Sequence, residues 1–146
     1  MIRYKIFPEH LFVFFLVYEV SQITQLNSKL FPVASFNSSF NNHLPTRLTN
    51  TMIYQSVGLE KHILKRHPEC IEYLKYLPFI INHPDYIGVN PNELGASFEL
   101  VKIFDKNIQI GIKLDIKYDY LYVATLHSIT DAKLQHGIAN GRLKKI

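Results

Sequence analysis

Nine side chains beyond residue 58 could act together chemically: His62, Lys65, Arg66, His67, Glu99, Lys113, Thr125, His127 and Arg142. The mixture suits RNA cleavage by attack of a ribose 2′-hydroxyl on the adjacent phosphorus. Such a reaction needs a base to take the 2′-proton, an acid to protonate the departing 5′-oxygen, and cations around the phosphorane. Imidazole, with a reference pKa of about 6.5, serves in either proton-transfer role, and a carboxylate such as Glu99 is an alternative base. Lysine and arginine supply a fixed positive field. DNA lacks the 2′-hydroxyl, so this chemistry is confined to RNA.

Each of these residues also has an ordinary reading. Lys65-Arg66 reads as a solvated helix face, Thr125 as a strand-forming residue, and Glu99 with Lys113 as a surface ion pair of small energetic value. His10, His43, His83 and His136 lack supporting spacing and read as isolated surface histidines. The chain carries no paired-histidine zinc signature, Gly-rich phosphate loop, Rossmann fingerprint or nucleophile elbow. His62 and His67 are five residues apart, so on one helix they diverge. The single cysteine, Cys70, excludes an intramolecular disulfide and a multi-cysteine zinc site, and fits a reducing compartment. No metal and no cofactor are expected.

The elements that must position these groups are legible beyond Gly58. Gly58–His67 reads as a short helix, broken at His67 by Pro68. Pro68 can start a second helix with Glu69 and Glu72 in its first turn and Ile71, Leu74, Leu77 and Ile81 on one face. Pro78 should kink or end it. His83-Pro84-Asp85-Tyr86 and Asn90-Pro91-Asn92 are turn chemistry.

Three strands follow. Ile108, Ile110, Ile112, Leu114 and Ile116 alternate with Gln109, Gly111, Lys113 and Asp115, the period of a half-buried strand. Ser97–Phe104 precedes it through an Asp105-Lys106-Asn107 loop, a register that sets Phe98 opposite Leu114 and Glu99 opposite Lys113. Tyr120–Ile129 is apolar on both faces, as in a central strand. A two-residue turn at Tyr118-Asp119 pairs Lys113 with Ala124; a three-residue turn pairs it with Thr125, and only then do Thr125 and His127 share the face of Lys113 and Glu99. The tail reads as a short helix followed by basic Gly141–Lys145.

Composition bounds the rest. A chain of 146 residues with 47% hydrophobic content can bury its own core. The net charge of +4 and a pI near 9.1 lean weakly towards an anionic partner. Residues 1–57 hold four basic groups (Arg3, Lys5, Lys29, Arg47) and two acidic ones (Glu9, Glu19), so the remainder is much more densely charged. The run Leu11–Tyr18 is too short to span a bilayer, which takes about 20 residues. Its flanks, with Glu9, His10 and Glu19, favour a buried helix or strand over a signal peptide. No membrane association is expected. The Ser/Asn-rich stretch Ser35–Asn42 reads as loop or linker.

In order along the chain, Gly58-Leu59-Glu60-Lys61-His62-Ile63-Leu64-Lys65-Arg66-His67-Pro68, Asn82-His83-Pro84-Asp85-Tyr86-Ile87-Gly88, Ser97–Lys102, Tyr120–Leu126 and Gly141–Lys145 form a recurring pattern. It resembles the phage-associated branch of the barnase–EndoU–colicin–RelE nuclease superfamily, over about residues 54–146. The resemblance implies an α+β domain over 54–146, with an N-terminal helical part packed on a small antiparallel β-sheet, and residues 1–53 as a region of unknown role. It further implies a metal-independent endoribonuclease that leaves a 2′,3′-cyclic phosphate and serves as a toxin or effector. Such a protein would be cytoplasmic or delivered into a target cell, with RNA as substrate and a cognate immunity or antitoxin protein as partner. The matching positions are His62 and His67 in the helical motif, Glu99 and Thr125 on strands, and Arg142 in the tail; Lys113 joins them through strand register. His67 or Glu99 is expected as base and His62 as acid. Lys113, Thr125 and Arg142 are expected to hold phosphate, and Lys65, Arg66 and Lys144 to contact RNA. The competing readings are a catalytically silent RNA-binding or partner-binding module and a structural phage or mobile-element protein.

Overall fold

A computed structural model of the protein describes residues 29–90, 92–93 and 96–146. The apolar run Leu11–Tyr18 and the turn residue Pro91 lie outside the described residues. Among the described residues, no helix is long and apolar enough to cross a membrane.

The three strands expected from alternation are present as β4 (Ser97–Ile103), β5 (Asn107–Asp115) and β6 (Tyr120–Ile129). They form the middle of a larger sheet. Two strands precede them, β1 (Leu30–Ser35) and β2 (Met52–Ser56), and two short ones lie on the far side, β3 (Tyr86–Gly88) and β7 (Leu143–Lys145). The order is β1-β2-β6-β5-β4-β3-β7, antiparallel except where β2 runs parallel to β6. The small antiparallel sheet expected from the sequence is therefore corrected to a mixed sheet of seven strands within an α+β fold. Residues 30–53, read in the sequence as part of a separate N-terminal region, supply β1 and the start of β2. The Ser/Asn-rich stretch between these strands folds into a 3-10 turn (Ser38–His43) capped by the Asn37 side chain.

Helix α1 (Gly58–Arg66) ends where Pro68 requires, and a 3-10 segment (Pro68–Tyr76) runs on into α2 (Leu77–Asn82). Pro78 does not terminate this second helical stretch. It occupies the first turn of α2, where its missing N–H has no intrahelical partner to lose. Because the 3-10 segment turns faster than an α-helix, the buried face is Cys70, Tyr73, Leu77, Ile80 and Ile81, while Ile71 and Leu74 are only partly covered. These residues, with Leu59 and Ile63 of α1, pack on Phe98, Leu100, Ile108, Ile110, Ile112, Leu121, Val123 and Leu126. One face of the sheet thus carries the main core. On the other face, helix α3 (Asp131–Ala139) covers only one end, through Leu134 against Val101 and Leu143.

Two registers differ from expectation. Phe104 leaves the ladder to stack on Tyr73 and Tyr76, and the loop becomes Phe104-Asp105-Lys106. Tyr73 donates its hydroxyl hydrogen to the Asp105 carboxylate, a bond that holds the tyrosine pKa up at about 12 and pins the loop to the helical layer. Asn107 is thereby drawn into β5, and Glu99 faces Gly111 while Lys113 faces Ser97. At the next turn neither anticipated loop forms. Ile116–Asp119 make a four-residue loop with Asp119 at φ 55°, its backbone carbonyl and carboxylate both accepting from the Asn50 amide. Lys113 consequently opposes Tyr122, and one extra residue in β6, Ala124, lets Thr125 oppose Gly111. This β-bulge reverses the facing of every later residue in β6, which brings Thr125 and His127 onto the face of Glu99 and Lys113.

Buried Asn107 ties the edge of this arrangement, donating to the Asp131 carboxylate at 2.7 Å and to the Ile129 carbonyl at 3.3 Å. Replacing it with alanine is expected to destabilise the fold by about 1–3 kcal/mol, because the Ile129 carbonyl loses its side-chain donor and the start of α3 its tether. Urea unfolding monitored by circular dichroism measures this; an unchanged midpoint would show that water replaces the amide.

Candidate active site

The half of the open sheet face that α3 leaves uncovered is a cleft of about 270 Å³. Its floor and walls include Glu99 of β4, Gln109, Gly111 and Lys113 of β5, Thr125 and His127 of β6, and Arg142 from the turn after α3. Alternation on three adjacent strands, corrected by the bulge at Ala124, puts these groups on one surface.

Arg142 is held in place from several directions. Asn140 ends α3 and its side chain accepts from the Arg142 backbone N–H at 2.9 Å. Gly141 takes φ 77°, a left-handed conformation that turns the chain into β7. Gly88 of β3 permits the approach, because a Cβ there would stand 2.5 Å from the Arg142 carbonyl. The guanidinium donates from Nη2 to Oε1 of buried Glu99 at 2.5 Å, while its Nε is buried without a partner among the described residues. The arrangement keeps a positive group fixed at the cleft with hydrogen-bonding capacity to spare. Lys113 lines the same cleft and contacts Glu93 at 3.3 Å, an exposed pair that an anionic ligand can displace.

Thr125 lies directly over Gly111. A Cβ at position 111 would come within 2.8 Å of the threonine Oγ1, so the absence of a side chain there sets the hydroxyl's position. Gly111→Ala should force Thr125 into another rotamer. We expect a roughly tenfold loss of whatever turnover depends on that hydroxyl, about one hydrogen bond's worth, with a shift in Tm of only a few degrees. Unchanged turnover would show that the hydroxyl's position is immaterial.

His127 lines the cleft, half-buried, with the His67 ring 5.2 Å away centre to centre. β2 pairs with β6 only at Leu121 and Tyr122, so α1 can pack beside the rest of β6. His67, the first residue past α1, meets His127 there. Burial first, then the positive charges of His67 and Lys133, hold the His127 pKa below the ordinary imidazole value of 6.5. Its neutral form is therefore favoured near neutral pH, the state a general base requires.

Of the residues singled out in the sequence, Glu99, Lys113, Thr125 and Arg142 converge in this cleft, and His67 adjoins it through His127. His62 is half-buried one and a half turns back along α1 and does not line the cleft. Lys65 and Arg66 are exposed at the end of α1, and Lys144 is exposed on β7; none of the three lines it. The sequence pointed to His127 without giving it a role and passed over Gln109. The signal for Gln109 was the alternation itself, since it shares a face with Gly111 and Lys113. His136, read as an isolated surface residue, lines an adjoining pocket with Lys133. Among the described residues, no three His, Cys, Asp or Glu side chains gather as a metal-binding group.

The protein family described as phage-Barnase-EndoU-ColicinE5/D-RelE like nuclease 3 matches residues 32–136, from within β1 to within α3. The match takes in residues 32–53, and it stops before Arg142. No curated protein and no solved structure matches the chain.

Proposed function

Because the chain belongs to the phage-Barnase-EndoU-ColicinE5/D-RelE like nuclease 3 family, we propose that it is a metal-independent endoribonuclease acting through the cleft around His127. The observation that carries this reading is His127 in one cleft with the fixed guanidinium of Arg142, with a second imidazole, His67, adjoining His127 at 5.2 Å between ring centres. Neutral His127 takes the proton from the 2′-hydroxyl, and the freed oxygen bonds to phosphorus. The bond from phosphorus to the 5′-oxygen then breaks, with protonated His67 giving its proton to that leaving oxygen. One strand end carries a 2′,3′-cyclic phosphate and the other a 5′-hydroxyl. Arg142, Lys113 and the Thr125 hydroxyl hold the non-bridging oxygens as negative charge builds on them. Glu99, engaged by Arg142, acts in this scheme as the positioning residue for that guanidinium. The expected base role passes from Glu99 or His67 to His127, and the acid role from His62 to His67.

A toxin or effector role follows from such an activity in the cytoplasm, and with it an immunity or antitoxin protein that covers the cleft. The test is incubation of purified protein with pooled RNA, with and without chelator, followed by mapping of the new ends, together with growth after expression. Fragments ending in 2′,3′-cyclic phosphate, unaffected by chelator, are expected. Intact RNA with salt-sensitive binding would replace the enzyme by a silent RNA-binding module, and cleavage abolished by chelator would overturn the metal-free mechanism.

A further inference from the structure

A second pocket, of about 470 Å³, opens beside the first under α3, and the two share Gln109, His127 and Arg142. Its size falls in the range of small-molecule sites. Ile129, Ala132 and Leu143 give it apolar walls, and Gly137 allows α3 to sit close, since a Cβ there would stand 2.8 Å from Leu143. Lys133 and His136 stand at its exposed rim.

Gln109 lies at the junction. It opposes His127 in the β5–β6 register, is only 8% exposed, and lines both pockets. An amide offers one donor and one acceptor side by side, which matches the edge of a nucleobase. Apolar walls suit the faces of that base, and single-stranded RNA presents its bases in this splayed form.

We infer that the pocket under α3 receives the base of the nucleotide on the 5′ side of the cut, and that Gln109 reads that base's hydrogen-bonding edge. The inference rests on the RNA-cleaving reading, through the place of His127 at the 2′-hydroxyl. A ribose whose 2′-oxygen lies at His127 has its 3′-phosphate in the first cleft, against Arg142, Thr125 and Lys113. Its base then points away from that phosphate, towards the second pocket.

The experiment compares wild type with Gln109→Leu on an oligoribonucleotide randomised around the cut, with cleavage sites counted by sequencing. Leucine keeps the volume while removing the amide, and circular dichroism checks that the variant folds. Wild type is expected to favour particular upstream bases by about tenfold to a hundredfold, the discrimination of one bidentate contact, and the variant to lose most of that preference. A variant that keeps the preference would overturn the role of Gln109. Indiscriminate cleavage by wild type would overturn the inference while leaving the nuclease reading intact. A second arm titrates the four nucleoside 3′-monophosphates by NMR. Base-dependent binding that Gln109→Leu abolishes would uphold the pocket even if RNA stays uncut, and equal or absent binding of all four would refute it.

Discussion

Replacing His127 with glutamine is expected to lower kcat on RNA by about 10²–10⁴-fold while leaving the folded structure intact, the range for loss of a general base. Glutamine retains size and polarity but cannot accept the 2′-proton. The same residue should set the acid limb of the pH profile. Burial and the neighbouring charges of His67 and Lys133 depress its pKa, so the midpoint of the acid limb of kcat/KM for wild type should lie below pH 6.5. Removing one of those charges weakens the depression. In Lys133→Gln the limb should move upward, towards 6.5, and NMR titration of the imidazole should follow it. A limb that stays put in Lys133→Gln, or that survives in His127→Gln, would remove His127 from the proton-transfer step.

Stability carries the same signature. With the folded-state pKa of His127 below its unfolded value, the folded protein binds fewer protons than the unfolded chain just beneath pH 6.5. The stability this group contributes is complete above that pH and drains away as the pH falls through the window towards the folded pKa. Urea midpoints measured across it should decline more steeply for wild type than for His127→Gln.

The parts of this fold that could be read from sequence were those where one strong local pattern dominated. The strict alternation of β5 predicts a strand with one buried face, and Pro68 predicts the end of α1. What escaped was decided by contacts between distant residues. Phe104 belongs to the β4 pattern by composition, yet it stacks on aromatic residues of the helical layer, which moves the β4–β5 register by two positions. β2 pairs with β6 over only two residue pairs, and β3 and β7 have three residues each, too few to show a period. β1 contains Pro32, which argues against an interior strand but is tolerated at the sheet edge it occupies. The site shows the same division. Glu99, Lys113 and Thr125 were identifiable by residue type and approximate facing, and Arg142 by residue type and its place in the basic tail. Their convergence depends on the bulge at Ala124, and no apolar alternation could reveal it because β6 is apolar on both faces. Choosing between His62 and His67 required knowing which end of α1 lies beside His127.

Arg142→Ala should produce a loss of about 10²–10³-fold in kcat, the usual effect of deleting one donor aimed at developing charge, together with a loss of stability. The two effects have different origins and can be separated. Without the guanidinium, the carboxylate of Glu99, 11% exposed at its side chain, is left buried and unpaired. Breaking a buried pair from one side costs about 3–5 kcal/mol, and the partial exposure of Arg142 brings the expectation down to about 2–3 kcal/mol. Adding Glu99→Leu to Arg142→Ala should restore most of the stability, because a leucine needs no partner there. Turnover should not return, since no cation replaces the one removed. Glu99→Gln alone is the complementary case. It keeps a hydrogen-bond acceptor for Arg142 but discards the charge that fixes its orientation, so kcat should fall less than in Arg142→Ala. If Glu99→Gln instead abolishes turnover as completely as His127→Gln, with Arg142 still in place, then the carboxylate is a base in its own right and the proton-transfer scheme must be redrawn around it.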